Sequence, residues 1–423
     1  MRTSRSSSLD ADVIVIGAGA AGLAAADALA RARHSVLVLE ARERVGGRCW
    51  TRAMPGLGIP VELGAEFMHG EARATHALLA RAGIAAVDLV REQRDLRGGR
   101  LRPMNAFVHA ARAVQGALLP KDVSFEAFLA TRRLPSETRA FARMMVQGFD
   151  AADPRRVSAR SIIDEWGDGG ELGRSQPRPR GGYGALFDWL ARSLAARGVP
   201  LALQRVVRGV EWRQGAVRVH GRFLGEPFVV RARRAVVTLP LGVLQSSNLF
   251  RPALRGKKSA LKKLASGPVI RVAMRFDKAF WESRAPGVAF FHTPQSPFPT
   301  FWTPLPMRGP LLTAWAGGPK AARLTGRPER VLLREALASV ERIFPQASSQ
   351  LEAACVKDWA QDPFSRGGYS YVLVGGQGAR EALAAPLEDT LYFAGEATES
   401  EEPGTVAGAL KSGARAARQI LRG

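Results

Sequence analysis

Cysteine is nearly absent from the 423-residue sequence, which contains only Cys49 and Cys355. Two thiols exclude a disulfide framework, and no group of cysteines and histidines has the spacing of a zinc site, so we expect no metal. The sequence also lacks an apolar run of the ~18 residues that a membrane span needs. The polar first ten residues and the brief apolar stretch after them do not resemble a signal peptide. These absences favour a cytoplasmic enzyme without a membrane span.

Lysine is scarce as well, although the protein is strongly basic. Its 61 basic and 38 acidic residues give a formal net charge of +23, yet only nine of the basic residues are lysines. The arginines are scattered among alanines along the whole chain, which indicates a compositional bias and no specific nucleic-acid surface. The one lysine cluster, Lys257, Lys258, Lys262 and Lys263, is expected on a solvated helix face.

Length and composition predict a globular protein with more than one domain. At ~150 residues per domain the chain exceeds one small module, and 46% hydrophobic with 23% charged residues is typical of a folded protein. Helical apolar spacing dominates from about 72 to 168, and strand-like alternation begins again near 201. The segment 171–184 is rich in glycine and proline and therefore predicts a loop at a domain boundary.

A βαβ unit opens the chain. Apolar runs at 13–16 and 35–39 predict two strands with an alanine-rich helix between them. The turn after the first strand has the pattern G-x-G-x-x-G, formed by Gly17, Gly19 and Gly22. Such glycines let the backbone approach a pyrophosphate at the helix N-terminus. Glu40 ends the second strand, where its carboxylate can accept hydrogen bonds from ribose hydroxyls. The unit therefore predicts adenine-dinucleotide binding.

Further motifs distinguish the dinucleotide. Gly46, Gly47 and Arg48 follow Glu40, and an arginine after two glycines can bind phosphate in a bidentate manner. The other motif-bearing segments are 64–70 (GAEFMHG), 181–184 (GGYG), 203–207 (LQRVV), 391–396 (LYFAGE) and 404–409 (GTVAGA). Together these segments resemble the flavin-containing amine oxidase family, which includes monoamine oxidases, polyamine oxidases and flavin-dependent histone demethylases.

The resemblance implies FAD as the cofactor. The residues that it assigns to FAD are Gly17, Gly19, Gly22, Glu40, Gly46, Gly47, Arg48, Gly64, Ala65, Glu66, Val207, Gly395, Glu396, Thr405 and Val406. A helix that begins near 405 would stabilise the negative charge of the reduced flavin ring through its dipole. Family members with covalent flavin have a cysteine where this chain has Gly368, so we expect non-covalent FAD.

The resemblance also implies a set of catalytic residues. His69 falls at the polar position of the substrate channel, Tyr369 forms one wall of an aromatic cage, and Trp359 precedes it. Thr405 takes the place of the opposite wall. Arg271 stands where the family has a lysine that holds a water near flavin N5. Because an arginine is larger and cannot act as a base, slow reoxidation by dioxygen is expected.

The implied fold is α/β, with a Rossmann-like FAD-binding domain and a discontinuous α+β substrate-binding domain. The FAD-binding domain is expected at 10–72, 181–255 and 360–423, and the substrate-binding domain at 73–180 and 256–359.

The implied reaction is oxidation of a small-molecule amine to an imine by hydride transfer to flavin N5. Dioxygen or another acceptor would then reoxidise the flavin. A desaturase or isomerase of an apolar substrate and a non-catalytic polyanion-binding flavoprotein remain as alternatives. The sequence leaves open which amine is used and the oligomeric state; Glu66, Glu71 and Asp150 are candidate channel carboxylates for a cationic amine.

Overall fold

A computed structural model describes residues 9–90, 92–167 and 176–423. The chain divides into two compact units. Unit 1 comprises 1–47, 186–262 and 378–423, and unit 2 comprises 48–185 and 263–377. The FAD-binding and substrate-binding roles assigned to the predicted domains stay predictions. Part of the predicted loop at 171–184 lies outside the described residues.

Helices occur in both units. In the described residues they are α1 (Ala20–Arg31), α2 (Arg73–Ala82), α3 (Ala106–Val114), α4 (Phe125–Thr131), α5 (Ser136–Gly148), α6 (Ala159–Trp166), α7 (Gly182–Ala195), α8 (Leu241–Ser246), α9 (Lys258–Lys262), α10 (Trp281–Arg284), α11 (Gly318–Leu324), α12 (Glu329–Glu341), α13 (Ala379–Ala384) and α14 (Val406–Arg422). None of these helices is long and apolar enough to cross a bilayer.

Strands alternate with these helices. The described strands are β1 (Val13–Ile16), β2 (Val36–Leu39), β3 (Thr51–Arg52), β4 (Val61–Glu62), β5 (Ala86–Val87), β6 (Gln93–Arg97), β7 (Arg100–Pro103), β8 (Arg178–Pro179), β9 (Leu201–Ala202), β10 (Arg205–Arg213), β11 (Ala216–Phe223), β12 (Glu226–Ala232), β13 (Arg234–Val237), β14 (Phe250–Arg251), β15 (Leu264–Ser266), β16 (Val269–Phe276), β17 (Phe290–His292), β18 (Thr300–Trp302), β19 (Leu311–Gly317), β20 (Leu351–Asp358), β21 (Ser370–Val372) and β22 (Leu391–Phe393).

Unit 1 is built on a parallel five-stranded sheet in the order β22-β13-β1-β2-β9. Its strands are short apolar runs, and β1 is buried along its whole length, as expected for a parallel strand covered on both faces. Because the strands are parallel, the chain segments that follow β1, β2, β13 and β22 all leave from the same edge of the sheet. Nucleotide ligands of open α/β folds bind at that carboxyl edge.

A second sheet of unit 1, ordered β12-β11-β10-β14, shares a core with the first. This core contains Ile14 and Ile16 of β1 together with Val210, Trp212 and Val219 of the second sheet. Helices α1 and α14 pack closely, because Gly413 of α14 lies against the backbone of Ala21 in α1. The burial of these small residues explains the alanine-rich character of both helices.

Unit 2 is built on a mixed seven-stranded sheet in the order β20-β16-β19-β18-β17-β6-β7. Strand β16, next to the edge strand β20, pairs antiparallel with β19 on one side and with β20 on the other. In these ladders Arg271 lies opposite Trp315 and Lys357, so the three residues share one face of the sheet. An apolar core that includes β16, β19 and α12 covers the other face, and α3, α5 and α6 contribute to a second core.

The structure confirms the predicted α/β class and the opening βαβ unit. The largely helical prediction for 72–168 missed β6 and β7, whose sequences show little apolar alternation. The sequence feature that indicates this hairpin is the pair Gly98-Gly99, because both glycines adopt positive φ in the turn between β6 and β7.

The expected solvated face of the lysine cluster is wrong for one member. Lys257 is 2% exposed and lies just before α9. Its ammonium donates hydrogen bonds to the carbonyls of Ala382, at 2.8 Å, and Ala385, and lies 4.8 Å from the Phe393 ring centroid. Burial lowers the pKa of Lys257 to about 8. A lysine can occupy this position because it satisfies the free carbonyls at the C-terminal end of α13.

The contact between α1 and α14 generates a prediction. A Cβ at position 413 would lie 2.1 Å from the carbonyl oxygen of Ala21. Gly413→Ala should therefore force the helices apart and lower the free energy of unfolding by about 1–3 kcal/mol. Chemical denaturation followed by circular dichroism measures the loss. Gly256→Ala is the matched control, because its nearest neighbour would be a Leu387 methyl at 3.7 Å; equal stabilities of the two variants would contradict the prediction.

Candidate active site

The glycine turn after β1 is tightly closed in the structure. Gly17 has a φ of +109°, a conformation that favours glycine, and a Cβ on Gly22 would lie 1.9 Å from the carbonyl oxygen of Gly17. The side chain of Thr238, just after β13, also lies here, 2.6 Å from where a Gly17 Cβ would be. These contacts show why the two positions need glycine.

The N-terminus of α1 carries no side-chain cap. Its N-cap residue is Gly19, and no acidic residue occurs in the first turn. Gly46 forms a parallel bridge with Gly19, and a Cβ on Gly47 would lie 3.3 Å from the Gly19 Cα. The two glycine loops of unit 1 therefore lie backbone against backbone at a helix N-terminus, which favours anions.

The Glu40 carboxylate lies at the same edge of the sheet. One oxygen accepts from the Ala18 N–H at 2.8 Å and the other from the Arg42 N–H at 2.9 Å. A carboxylate offers about four lone-pair positions, so capacity remains for two ribose hydroxyls. Glu40 is 4% exposed, and its two backbone contacts fix its orientation.

The segment after β22 forms another part of this edge. Gly395 has a φ of +129° with open space at its Cβ position, and its N–H donates to the Ser412 hydroxyl at 2.8 Å. Glu396 follows and is buried. Thr405 is the N-cap of α14: its hydroxyl accepts from the Gly408 N–H at 2.9 Å. Val406 then begins the helix, as the motif predicts.

A dinucleotide therefore fits the described residues of unit 1. Glycine replaces side chains where the backbone loops meet, an uncapped helix N-terminus faces the carboxyl edge, and an oriented carboxylate ends β2. Val207 lies on β10 at an irregularity of its pairing with β11. Its contact with adenine stays a prediction.

In unit 2, the segment that contains Gly64, Ala65 and Glu66 is held by backbone contacts. A Cβ at position 64 would lie 1.8 Å from the Arg48 carbonyl oxygen, and the Ala65 N–H donates to the same oxygen at 3.2 Å. The Arg48 guanidinium donates to the Gly368 carbonyl at 2.5 Å. Arg48 thus contacts the position that lacks the cysteine, and its phosphate contact stays a prediction.

Arg271 is buried on β16 and its charge is paired. Its guanidinium forms an ion pair with Glu66 and donates to the Gly64 carbonyl at 2.7 Å. Glu66 also pairs with Arg178, with 2.8 Å between Nε and Oε1, and accepts from the Trp302 indole N–H at 2.9 Å. Burial alone would raise the pKa of Glu66, but the charges of Arg271 and Arg178 outweigh it and hold that pKa below its usual range. We call Arg178, Glu66 and Arg271 the buried triad.

The triad corrects one expectation from the sequence. Glu66 was a candidate carboxylate for a cationic amine, but two guanidinium groups already neutralise it. Burying a carboxylate requires such partners, which explains the pairing. Glu71 instead pairs with Arg73 in an exposed ion pair at 2.6 Å.

Aromatic side chains surround His69. Its ring contacts Phe149 edge-on, with 5.0 Å between the ring centroids, and lies 6.2 Å from Phe67. Burial lowers the pKa of His69 to about 4, so this imidazole is neutral at physiological pH. The Tyr369 hydroxyl donates to the Phe149 carbonyl at 2.8 Å, and the Trp315 indole donates to the neighbouring Gly148 carbonyl at 2.8 Å. The structure thus brings His69 and Tyr369 to the C-terminal end of α5.

Trp359 lies deeper than these residues. It is 2% exposed, packs with Ala151 and Val269, and donates its indole N–H to the Leu63 carbonyl at 2.8 Å. One edge of the ring would lie 3.2 Å from a Cβ on Gly64. Trp359 therefore packs against the chain at Leu63 and Gly64. Its direct role in catalysis stays a prediction.

Glu62 precedes this segment and was not anticipated. One of its oxygens accepts from the Thr51 hydroxyl at 2.8 Å and from the Tyr183 N–H at 2.6 Å, and its other oxygen is buried without a hydrogen bond in the described structure. Burial raises the pKa of Glu62 to about 7, although both hydrogen bonds oppose the increase. Glu62 therefore titrates near neutral pH.

Sequence reasoning missed other residues of the site. Arg178 lies in a segment interpreted as loop, and Phe149, Trp302 and Trp315 carried no motif. A buried acid such as Glu66 implies a cationic partner, but sequence offers no way to choose among so many arginines.

Fold and site together define a class of protein: a dinucleotide-binding α/β unit combined with an α+β unit that carries an aromatic, charge-paired cluster. The chain belongs to the flavin-containing amine oxidoreductase family, whose model matches residues 20–111 and 100–421. This match confirms the resemblance and FAD as the cofactor, and it does not favour the desaturase or the non-catalytic alternative.

Curated relatives cover nearly the whole chain. Lysine-specific histone demethylase 1 homolog 2 of Arabidopsis thaliana is 29% identical over 97% of this chain, and polyamine oxidase 2 of the same plant is 30% identical over 96%. The alignment takes in 58% of that demethylase and 87% of the polyamine oxidase, so the chain spans little more than half the length of the demethylase.

A solved structure supports the fold. Putrescine oxidase with bound putrescine superposes with a TM-score of 0.82 at 22% identity, over 98% of this chain and 99% of that one. This agreement confirms the predicted α/β fold class.

The pKa of Glu62 generates a prediction. The folded protein retains a proton on Glu62 that the unfolded chain releases above pH 4.5, so this stabilisation is complete below pH 4.5 and is lost as the pH rises through about 7. Glu62→Gln is neutral at every pH and keeps an acceptor oxygen. Its stability relative to the parent should therefore increase between these pH values, by roughly 3 kcal/mol at most.

Denaturation at both ends of this pH range measures the effect. Glu226→Gln is the control, because Glu226 is exposed on β12. A stability difference between Glu62→Gln and the parent that does not change with pH would disprove the raised pKa.

Proposed function

We propose that the protein is an FAD-dependent oxidoreductase that oxidises a small-molecule amine to an imine. The match of nearly the whole chain to the flavin-containing amine oxidoreductase family carries this proposal. When bound, FAD supplies the redox chemistry by accepting a hydride at N5. Dioxygen or another acceptor completes the cycle, and the imine is hydrolysed by water.

The geometry of unit 1 supports the assigned cofactor contacts. Glu40 would hold the ribose, the α1 N-terminus the pyrophosphate, and the N-terminus of α14 the pyrimidine side of the flavin ring. In unit 2 we assign the segment 64–66 to the flavin, as the resemblance implies. The protein's own contribution is to bind the cofactor tightly and to orient it.

The neutral, aromatic surroundings of His69 support an amine that reacts in its uncharged form. Hydride transfer from the carbon next to nitrogen requires the free amine, which is in equilibrium with its ammonium form. A charged histidine at position 69 would repel that ammonium form, whereas a neutral histidine does not. His69 and Tyr369 would orient the substrate, and Trp359 and Thr405 complete the assigned set. The relatives named above act, by their names, on polyamine, putrescine and histone lysine, all of which are amines.

Non-covalent attachment of FAD is directly testable. Acid precipitation should release all FAD into the supernatant, because Gly368 carries no thiol.

Glu40→Ala should weaken FAD binding by about tenfold or more, since charge-assisted hydrogen bonds contribute roughly 1.5–3 kcal/mol. Glu43→Ala, an exposed acid in the same loop, should bind FAD like the parent. Flavin in the precipitate would disprove non-covalent binding, and equal affinities would remove Glu40 from the site.

Tyr369 provides the test of the reaction itself. Parent protein mixed anaerobically with a panel of monoamines, polyamines and amino acids should lose its flavin absorbance with at least one amine. Tyr369→Ala should slow this reduction by about a hundredfold through lost orientation, while FAD content stays the same. Tyr369→Phe keeps the ring and loses the hydroxyl that donates to the carbonyls of Phe149 and Gly148, so it should be affected much less. Failure of every amine to reduce the flavin would contradict the proposed function.

A further inference from the structure

Two buried guanidinium groups share one carboxylate in unit 2. Among the described residues, Glu66 is the only acid within ion-pair distance of Arg271 or of Arg178. The side chains of Arg271, Arg178 and Glu66 are 2%, 5% and 11% exposed. The buried triad therefore contains one positive charge in excess of its negative charge, in an environment where water screens little.

Both guanidinium groups are fixed in place by further contacts. Arg271 donates to the Gly64 carbonyl at 2.7 Å and lies 4.9 Å from the centroid of the Trp302 ring. Arg178 donates to the carbonyls of Thr303, at 3.2 Å, and of Pro304, at 3.1 Å, and its guanidinium lies over the Phe67 ring. Neither charge can move away if the carboxylate is lost, so removing Glu66 would leave two unpaired cations.

Glu62 does not supply the missing negative charge in full. It interacts electrostatically with Arg271 and Glu66, but burial raises its pKa to about 7, so it is partly protonated at neutral pH. The charge balance of the cluster therefore depends on Glu66.

We propose that Glu66 is a positioning residue that sets the positive charge that Arg271 presents to the flavin. Arg271 acts as one half of an ion pair, held by Glu66, and not as a free cation. This inference rests on the proposed function, which assigns the 64–66 segment to FAD. The reduced flavin is anionic, so the excess positive charge of the triad determines how readily an electron pair or an anion adds to the ring.

A set of charge variants tests the inference without any amine. E66Q raises the excess charge by one unit, R178M lowers it by one unit, and the double variant E66Q/R178M restores the parent's value. The readouts are the dissociation constant of sulfite, an anion that adds to oxidised flavin and bleaches it, and the flavin midpoint potential measured against reference dyes. E66Q should bind sulfite about tenfold more tightly and R178M about tenfold more weakly.

The double variant separates a charge effect from a loss of structure. It should bind sulfite within about threefold of the parent, because its net charge is unchanged, and its midpoint potential should lie between those of the single variants. The matched control is E126Q, which breaks the Arg143–Glu126 ion pair elsewhere in unit 2, where Nε and Oε2 are 2.8 Å apart. E126Q should change neither readout.

Several outcomes would overturn the inference. They are unchanged sulfite affinity in E66Q, a shift of the same sign in E66Q and R178M, or a double variant that behaves like E66Q. If E66Q does not fold, R178M and the double variant still give the predicted order. If amines reduce the flavin but the charge variants change neither sulfite affinity nor midpoint potential, only this inference is overturned. If the variants show the predicted changes but no amine is oxidised, only the proposed reaction is overturned.

Discussion

The carboxylate of Glu66 holds two buried arginines, and the local structure of unit 2 depends on this pairing. Through Arg271 it is connected to the Gly64 carbonyl, and through Arg178 to the carbonyls that follow β18. Four chain segments, which contain Glu66, Arg178, Arg271 and Thr303, are therefore linked through one acid. A buried charge that loses its partner is strongly destabilising, so the triad constrains these segments together.

Aromatic residues extend from the triad to the end of α5. Trp302 contacts Glu66 and lies 5.8 Å, centroid to centroid, from Trp315, whose indole binds the carbonyl of Gly148. The Tyr369 hydroxyl binds the next carbonyl, and the ring of Phe149 packs against His69. The last carbonyls of a helix have no partner within it, so polar edges of aromatic side chains satisfy them here. The polar atoms of Trp302, Trp315 and Tyr369 are thus engaged, whereas the buried Nδ1 of His69 has no hydrogen-bond partner in the described structure.

The sequence predicts local features of the fold and site well, because each depends on neighbouring residues. The βαβ unit, its glycine turn and Glu40 follow from apolar runs, glycines and an acid at a strand end, all of which act within a few residues. The start of α14 is implied by the family resemblance. The triad could not be predicted in this way. Arg178 and Arg271 are 93 residues apart and are two among many arginines. The burial of Lys257 could not be predicted for the same reason, because its hydrogen-bond acceptors, such as the Ala382 carbonyl, are far away in the sequence.

The position of Arg271 illustrates how a substitution depends on its surroundings. The family resemblance places a lysine there, and an isolated change to arginine would add a rigid, planar, permanently charged group to a buried strand. In this chain the Arg271 guanidinium contacts the Glu66 carboxylate, the Gly64 carbonyl and the Trp302 ring. These contacts match the planar geometry of a guanidinium, and the ammonium of a lysine would satisfy fewer of them. Arg271 is thus explained only together with Glu66 and Trp302. The charge that we propose Arg271 presents to a bound flavin is therefore that of the paired group and not that of a free arginine.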